Sequence, residues 1–190
     1  MENLTKEQEI IKLIFKDFLV MYNSRSISKV IGISHAGAFK ILKKLEKRNI
    51  VESKEIGRAK VYSLNIKNPV TVKEIETILT IEAQKNKIWL EEFKELDKKS
   101  KIVILYGSII KDEKNAKDID LLIVANKNKF KDIKGIIEER NKFLNKKIHP
   151  IIQTLRELKR DINKKNKVLV EIIKTGVVLF GQDGLANSLL

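Results

Sequence analysis

The chain has 190 residues, of which 43% are hydrophobic, and a formal net charge of +14 at pH 7. This length allows one large or two small domains, and the hydrophobic content with only two prolines indicates a folded, helix-rich protein. The absence of cysteine excludes disulfide bonds and thiolate metal sites, and the two histidines, His35 and His149, cannot form a multi-histidine metal cluster. We therefore expect any metal to be bound by carboxylates.

The basic residues form two blocks along the chain. Residues 1–66 hold 13 basic against 7 acidic residues, residues 67–99 hold 7 of each, and residues 100–190 hold 19 against 11. Basic blocks favour polyanions such as nucleic acids or nucleotide phosphates, and the alternative is a lysine-rich solvated surface. No apolar run is long enough to span a bilayer, and the N-terminus lacks the apolar core of a signal peptide, which predicts a cytoplasmic protein.

A pair of helices joined by a short turn is predicted in the first third of the chain. Before this pair, apolar residues at spacings of three and four predict an amphipathic helix within 4–20: Ile10, Leu13, Ile14 and Phe18. A short helix around 27–31 is predicted to end at Gly32, because glycine accepts the left-handed conformation of a tight turn. Ser34 is the predicted N-cap of the next helix, HAGAFKILKKLEKRN.

This next helix has one apolar face and one basic face. Its predicted core face comprises Ala38, Ile41, Leu42 and Leu45. The opposite face comprises His35, Ala36, Phe39, Lys40, Lys43 and Lys47. Small or hydrogen-bonding side chains near a helix N-terminus can meet base edges, and lysines can reach phosphates, so this face is a candidate DNA-binding surface. For Phe39 the alternative is packing against a neighbouring helix.

The segment VESKEIGRAKVYSLN predicts a β-hairpin with Arg58 and Lys60 at its tip. From Ile27 to Asn65, the order of these parts resembles a winged helix-turn-helix domain. The resemblance implies a domain over residues 1–66 that binds double-stranded DNA through the following residues: His35, Ala36, Phe39, Lys40, Lys43, Arg58 and Lys60. Winged-helix domains also serve as protein-docking modules, and this alternative stays open.

The neutral middle, residues 67–99, is predicted to be a helical spacer. After Pro69 the chain is expected to form a helix in one or two pieces with two apolar patches: Ile75, Ile78 and Leu79 in the first, and Trp89, Phe93 and Leu96 in the second. Such patches must be buried, either against the following domain or against a second copy of the chain. A homodimer would suit DNA with paired half-sites, and we expect one.

Two apolar runs in the last block predict strands. The first, Ile102–Tyr106, ends at Gly107 and Ser108; a charged stretch follows, and IDLLIVAN then predicts the second. Residues two apart in a strand share a side, so Asp118 and Asp120 would present both carboxylates in one direction. The two charges repel each other, and a divalent cation between them would remove the repulsion.

This combination resembles the nucleotidyltransferase superfamily, the fold shared by DNA polymerase β and kanamycin nucleotidyltransferase. Its signature is Gly-Ser at the end of one strand and Asp-x-Asp on the next, and the similarity extends over about residues 101–181. The resemblance implies that Asp118 and Asp120 are catalytic residues that hold Mg²⁺ or Mn²⁺. It also implies that Gly107 and Ser108 hold a nucleoside triphosphate. The alternative is that the two aspartates only solvate the end of a strand.

The chain departs from this family pattern in several places. A second glycine after Gly-Ser and a serine before the first aspartate are expected, but charged residues occupy 111–113 and Lys117. A third carboxylate is expected on a later strand, and the matching segment KKIHPIIQTL offers His149 and no acid. We interpret His149 as a buried or hydrogen-bonded structural histidine, and a general base is the alternative. Glu157 and Asp161 fall on a predicted helix beyond this strand and are not candidates.

The sequence therefore predicts an α+β protein. It would comprise a winged helix-turn-helix at 1–66, a helical spacer at 67–99 and a nucleotidyltransferase-like α/β domain with a small mixed sheet at 100–190. One functional hypothesis is transfer of a nucleoside monophosphate to a hydroxyl of a protein, an RNA or a small molecule, in a protein that resembles the antitoxin halves of toxin–antitoxin pairs and has a toxin-like partner. The other is a transcriptional regulator whose second domain senses a nucleotide or docks a partner without turnover.

Overall fold

The computed structural model describes residues 3–189. The chain divides into two compact units between Ile78 and Leu79. The domain boundaries at 66/67 and 99/100 stay a prediction. No helix among the described residues is both long and apolar enough to cross a lipid bilayer.

The N-terminal unit consists of helices with a small antiparallel sheet. Its first elements are α1 (Lys6–Lys16), β1 (Tyr22–Asn23), α2 (Ser24–Ile31), α3 (His35–Lys47), β2 (Val51–Ile56) and β3 (Ala59–Leu64). The three strands are arranged in the order β1-β3-β2. The predicted hairpin is confirmed, because β2 pairs antiparallel with β3 from Val51 opposite Leu64 to Ile56 opposite Ala59.

The ends of these helices follow from local side-chain chemistry. Thr5 caps α1 through a capping box, and Asn23 does the same for α2, which therefore begins earlier than the sequence predicted. Gly32 ends α2 in the left-handed region at φ 70°, as predicted. The hydroxyl of Ser34 accepts a hydrogen bond from the N–H of Gly37, which confirms Ser34 as the N-cap of α3.

The core of this unit lies between α1, α2, α3 and the small sheet. On α3, Ala38, Leu42 and Leu45 are fully buried as predicted, whereas Ile41 is partly exposed. The buried hydroxyl of Tyr22 donates a hydrogen bond of 2.6 Å to Asp17, which is itself buried. This hydrogen bond holds the segment between α1 and β1 in place, because both groups are buried and would lack a water partner if the bond broke.

Three helices follow the hairpin, where the sequence predicted one or two: α4 (Pro69–Gln84), α5 (Lys87–Glu92) and α6 (Lys94–Asp97). Pro69 is the first residue of α4, a position where the missing N–H has no helical partner to lose. Both predicted apolar patches are buried within the chain, and Trp89, Phe93 and Leu96 belong to the core of the C-terminal sheet. Their burial therefore does not require a second copy, and the homodimer stays a prediction.

The C-terminal unit is built on a four-stranded mixed sheet. Its elements after α6 are β4 (Ile102–Tyr106), α7 (Ser108–Lys111), β5 (Asp118–Val124), α8 (Phe130–Arg140), β6 (Lys147–Gln153), α9 (Leu155–Asn163), α10 (Lys167–Thr175), β7 (Val177–Phe180) and α11 (Gln182–Ala186). The strand order is β6-β5-β4-β7, in which β5 and β6 are parallel and the other neighbours are antiparallel. This confirms the predicted α+β class and the small mixed sheet.

One side of the sheet packs against helices, and on β5 this side carries Ile119, Leu121 and Ile123. These three residues belong to one apolar cluster with residues of α5, α6 and α8. The side chains of Asp118 and Asp120 alternate with them and therefore lie on the other side of the sheet. They are the two half-buried positions of a strand that is otherwise buried.

Candidate metal and nucleotide site

The candidate site lies where β4 ends and β5 begins. In the antiparallel register of these strands, Tyr106 is opposite Asp120. The Gly107-Ser108 turn that follows β4 therefore lies beside the two aspartates at the start of β5. The structure thus brings together the four residues that the sequence nominated: Gly107, Ser108, Asp118 and Asp120.

Gly107 has a conformation and a position that strongly favour glycine. Its backbone has φ 83° and ψ −157°, in a region that side chains rarely allow. A Cβ atom at this position would overlap the Oδ2 atom of Asp120. The chain therefore passes close against a carboxylate at the end of β4. Ser108 is exposed and begins the short helix α7, where the sequence predicted a turn.

His149 completes a cluster with the two aspartates. Because β5 and β6 are parallel, His149 lies directly opposite Asp120. Its Nδ1 atom is 3.5 Å from Oδ2 of Asp118, and its side chain is 59% exposed. The side chain of His149 is therefore not buried, whereas a structural role through Asp118 and the role of general base both stay predictions.

The electrostatics of the cluster favour a bound cation. Burial raises the pKa of Asp120, the neighbouring charge of Asp118 raises it further, and His149 opposes the shift. Burial also raises the pKa of Tyr106, and the charge of Asp120 adds to this effect. Negative charge at Asp120 is thus unfavourable in the protein alone, and a cation would stabilise it.

The geometry of the cluster fits one metal ion. One ligand atom from each of Asp118, Asp120 and His149 lies within 4.8 Å of the others. An ion about 2.1 Å from its ligands spans pairs up to about 4.2 Å apart, so a small side-chain rotation brings all three atoms into range. The expectation that carboxylates alone would bind a metal omitted this imidazole.

The described residues add no third carboxylate to this cluster. Glu157 instead caps its own helix: its Oε2 atom accepts hydrogen bonds from the N–H and the hydroxyl of Thr154. The first of these bonds is the main reason that the pKa of Glu157 is lowered. Asp161 lies further along α9 and accepts a hydrogen bond from Nε of Arg160. Both acids follow the far end of β6, as the sequence indicated.

Two features of the site were not found from the sequence. Tyr106 lies beside Asp120 across β4 and β5, and an aromatic residue at a strand end gives no signal until the register is known. Lys146 donates hydrogen bonds to the carbonyls of Lys114 and Ala116, and so joins the loop before β6 to the loop before β5. This lysine therefore holds the loop that precedes Asp118 in place, and its ammonium group is already engaged by two carbonyl oxygens.

The predicted DNA-binding face of α3 is exposed. His35, Ala36, Phe39, Lys40 and Lys43 are all exposed, and so is Lys47. The Nζ atom of Lys43 lies 5.2 Å from the centre of the Phe39 ring, and Nε2 of His35 is 2.9 Å from the hydroxyl of Ser24. Phe39 is 41% exposed, so part of its ring is open to solvent, and both its packing on a neighbouring helix and its contact with DNA stay predictions.

The two basic residues of the hairpin differ in their surroundings. Arg58 is exposed in the turn between β2 and β3. Lys60 forms an ion pair of 3.0 Å with Glu46, and its Nζ atom lies 5.7 Å from the centre of the Tyr62 ring. Since Glu46 already neutralises Lys60, Arg58 is the stronger candidate for a phosphate contact.

A mixed sheet with a Gly-Ser turn beside Asp-x-Asp is the arrangement of a nucleotidyltransferase-like domain. Residues 89–184 match the family described as Polymerase beta, Nucleotidyltransferase. This match covers half of the chain, and the protein belongs to that family. No curated protein and no solved structure gives a significant match to the chain.

Proposed function

We propose that the C-terminal unit binds a nucleoside triphosphate with a divalent cation and transfers its nucleoside monophosphate to a hydroxyl group. The observation that carries this proposal is the convergence of Asp118, Asp120 and His149 on one face of the sheet, where Asp120 lies against the backbone of Gly107. Membership of the nucleotidyltransferase family supports the same reaction class.

Each residue has a part in this reaction. Asp118 and Asp120 would hold the cation, which when bound neutralises phosphate charge. Gly107 lets the backbone lie against Asp120, so phosphates bound at this turn would be beside the metal ligands, and the hydroxyl of Ser108 can donate a hydrogen bond to them. The acceptor oxygen would bond to the α-phosphorus as the bond from this phosphorus to the bridging oxygen breaks. Pyrophosphate leaves, and the proton of the acceptor passes to water.

The strand order indicates the direction of attack. Because β5 lies between β4 and β6, Gly107 and His149 flank Asp120 from opposite sides. A triphosphate held at Gly107 would place its leaving pyrophosphate on the β4 side. In-line displacement then requires the acceptor hydroxyl to approach from the β6 side.

Incubation of the protein with α-labelled nucleotides, a divalent cation and cell extract tests this proposal. We expect label to be transferred to protein, RNA or a small molecule, and the transfer to be lost in Asp118→Asn. Asp132→Asn on α8 is the matched control, because it removes one exposed carboxylate elsewhere in the unit. Label transfer that persists in Asp118→Asn would contradict the proposed role of Asp118.

The second candidate is nucleotide sensing without turnover. It is favoured by one observation: His149 occupies the position beside Asp120 where the family resemblance implies a carboxylate. In this case the same incubation would give nucleotide binding that requires Asp118, but no transfer of label. The protein would then be a regulator whose nucleotidyltransferase fold reports the presence of a nucleotide.

For the N-terminal unit we propose a winged helix-turn-helix that binds double-stranded DNA. The exposed basic face of α3, the N-cap at Ser34 and the exposed Arg58 of the hairpin support this proposal. Electrophoretic mobility shifts on genomic fragments at several salt concentrations test it. We expect affinity to fall steeply with salt, since lysine and arginine contacts to phosphates release counterions. Salt-independent binding, or no binding, would contradict it.

The proposed partners follow from these two activities. A homodimer would match paired DNA half-sites, and a toxin-like protein is a proposed acceptor of the nucleotide. Light scattering of the purified chain tests the first proposal, with a dimer mass as the expected result. Co-purification with label-accepting protein tests the second.

A further inference from the structure

The side chain of His149 is the feature of the site that the family resemblance does not account for. We infer that His149 is a ligand of the bound cation and that the site therefore selects Mn²⁺ over Mg²⁺. This inference rests on the proposed nucleotide site and names the cation that the site accepts.

The position of the imidazole supports ligation. His149 is the direct neighbour of Asp120 in the parallel register, and its Nδ1 atom is 3.5 Å from Oδ2 of Asp118. Two ligands in adjacent positions around an ion of this size are separated by about 3 Å, since each lies about 2.1 Å from the metal. The imidazole therefore already approaches the separation that a shared ion requires. Its 59% exposure leaves the ring free to rotate toward the ion.

The chemistry of the three ligands determines the selectivity. Mg²⁺ is a hard cation that demands octahedral oxygen ligands and gives up its water reluctantly. Imidazole nitrogen is a softer ligand that favours transition metals, whereas carboxylates and phosphates are hard oxygen ligands. Mn²⁺ accepts both kinds in octahedral geometry. Zn²⁺ prefers tetrahedral sites rich in nitrogen and sulfur, which a nucleotide with several phosphate oxygens does not provide.

The alternative role for His149 is that of a general base. A base would use Nε2 while Nδ1 faces Asp118, whereas a metal ligand would use Nδ1, which already lies within the cluster. Ligation and base catalysis also differ in their consequences. If His149 is a ligand, replacing it changes which metal binds even without turnover. If His149 is only a base, replacing it leaves the metal preference unchanged.

The test is a calorimetric titration of the full chain, in the presence of a non-hydrolysable nucleoside triphosphate analogue, with MnCl₂ and separately with MgCl₂. We expect Mn²⁺ to bind at least about tenfold more tightly than Mg²⁺, and His149→Asp to reduce this ratio several-fold by supplying a third carboxylate. Pulsed electron paramagnetic resonance of bound Mn²⁺ should show coupling to a histidine nitrogen that is lost in His149→Asp. Asp132→Asn, on the exposed surface of α8, is the control and should leave both readouts unchanged.

The outcomes separate this inference from the function on which it rests. Equal binding of the two metals, or an Mn²⁺ preference that is unchanged in His149→Asp, would overturn the selection by His149 while metal-dependent nucleotide binding stands. Absence of any metal-dependent nucleotide binding would overturn the proposed function and this inference together. Because His149 is exposed, His149→Asp should fold, and a circular dichroism spectrum that matches the parent protein verifies this.

Discussion

The two candidate functional surfaces of this chain are built from opposite kinds of residues. At the sheet, the residues need an explanation: two aspartates begin a strand, the backbone of Gly107 lies against one of them, and an imidazole is exposed beside the other. On α3, the lysines and the histidine require no explanation on the exposed face of a helix, and only the exposed Phe39 departs from what burial predicts among these candidates. A bound ligand is therefore the simplest explanation of the residues at the sheet. The basic face of α3 supports DNA binding less strongly, because lysines are common on exposed helix surfaces.

The first prediction concerns Gly107, where the backbone lies against the carboxylate of Asp120. Gly107→Ala should destabilise the C-terminal unit by about 3 kcal/mol, because a Cβ is strained at this φ and overlaps the carboxylate of Asp120. It should also abolish nucleotide binding. Urea denaturation monitored by the fluorescence of Trp89, the only tryptophan, measures the first effect.

Gly135→Ala is the matched control for this substitution. Gly135 is an exposed residue of α8, and a Cβ there would meet no atom within 4 Å. The alanine should stabilise the helix by up to about 1 kcal/mol. A Gly107→Ala variant as stable as the parent protein would contradict the claim that the close approach of Gly107 to Asp120 excludes a side chain.

The second prediction tests a buried hydrogen bond in the N-terminal unit, which the hydroxyl of Tyr22 donates to Asp17. Tyr22→Phe should destabilise the protein by about 2 kcal/mol, because it removes a buried hydrogen bond to a charged carboxylate. Tyr62→Phe on β3, where a lysine rather than a carboxylate faces the ring, should cost less. Thermal unfolding of both variants provides the comparison, and an equal loss would contradict it.

The same tyrosine gives a pH dependence with a defined sign. Burial, together with the hydrogen bond to Asp17, raises the pKa of Tyr22 to about 12. Because the unfolded chain releases this proton near pH 10, the stabilisation is fully present below that pH and is lost as the pH rises toward 12. In Tyr22→Phe this contribution to alkaline destabilisation should be absent, which melting temperatures between pH 9 and pH 12 would show.

The smallest effects are expected on the basic face of α3 and on the hairpin. Lys40→Ala and Arg58→Ala should each weaken DNA binding by about 1 kcal/mol and lower the salt slope by about one. Lys60→Ala should have less effect, because Glu46 already pairs with this lysine. Lys131→Ala on α8 removes the same charge from the C-terminal unit and should leave DNA affinity unchanged. Fluorescence anisotropy across a salt series measures all four.

The sequence predicted most elements because their patterns are local. The alternation in β5, the N-cap at Ser34 and the hairpin each depend on residues close in the chain. The short helix α7 was missed, because Ile109 and Ile110 follow a Gly-Ser turn and give too short an apolar pattern to separate helix from loop. Ile109 is nevertheless buried at 3% exposure, which places this helix against the sheet.

The candidate site was predicted in part for the same reason. Asp118 and Asp120 share a strand, so their common direction is visible in the sequence. The partnership of His149 with them depends on the parallel register of β5 and β6, which pairs residues 29 positions apart. The pairing of Lys60 with Glu46 and the position of Tyr106 likewise depend on tertiary contacts that no local pattern encodes.

Metal-dependent nucleotide binding is the most direct measurement of the central claim. Calorimetric titration of the chain with a non-hydrolysable triphosphate analogue and Mn²⁺ or Mg²⁺ should show binding that is weakened at least about a hundredfold in Asp118→Asn/Asp120→Asn. The control Asp132→Asn/Glu138→Gln carries the same charge change on α8 and should bind like the parent protein. The site variant should not melt earlier than the parent, since it removes a carboxylate whose pKa is raised by burial and by the neighbouring charge of Asp118. Unchanged nucleotide affinity in the site variant would contradict the account.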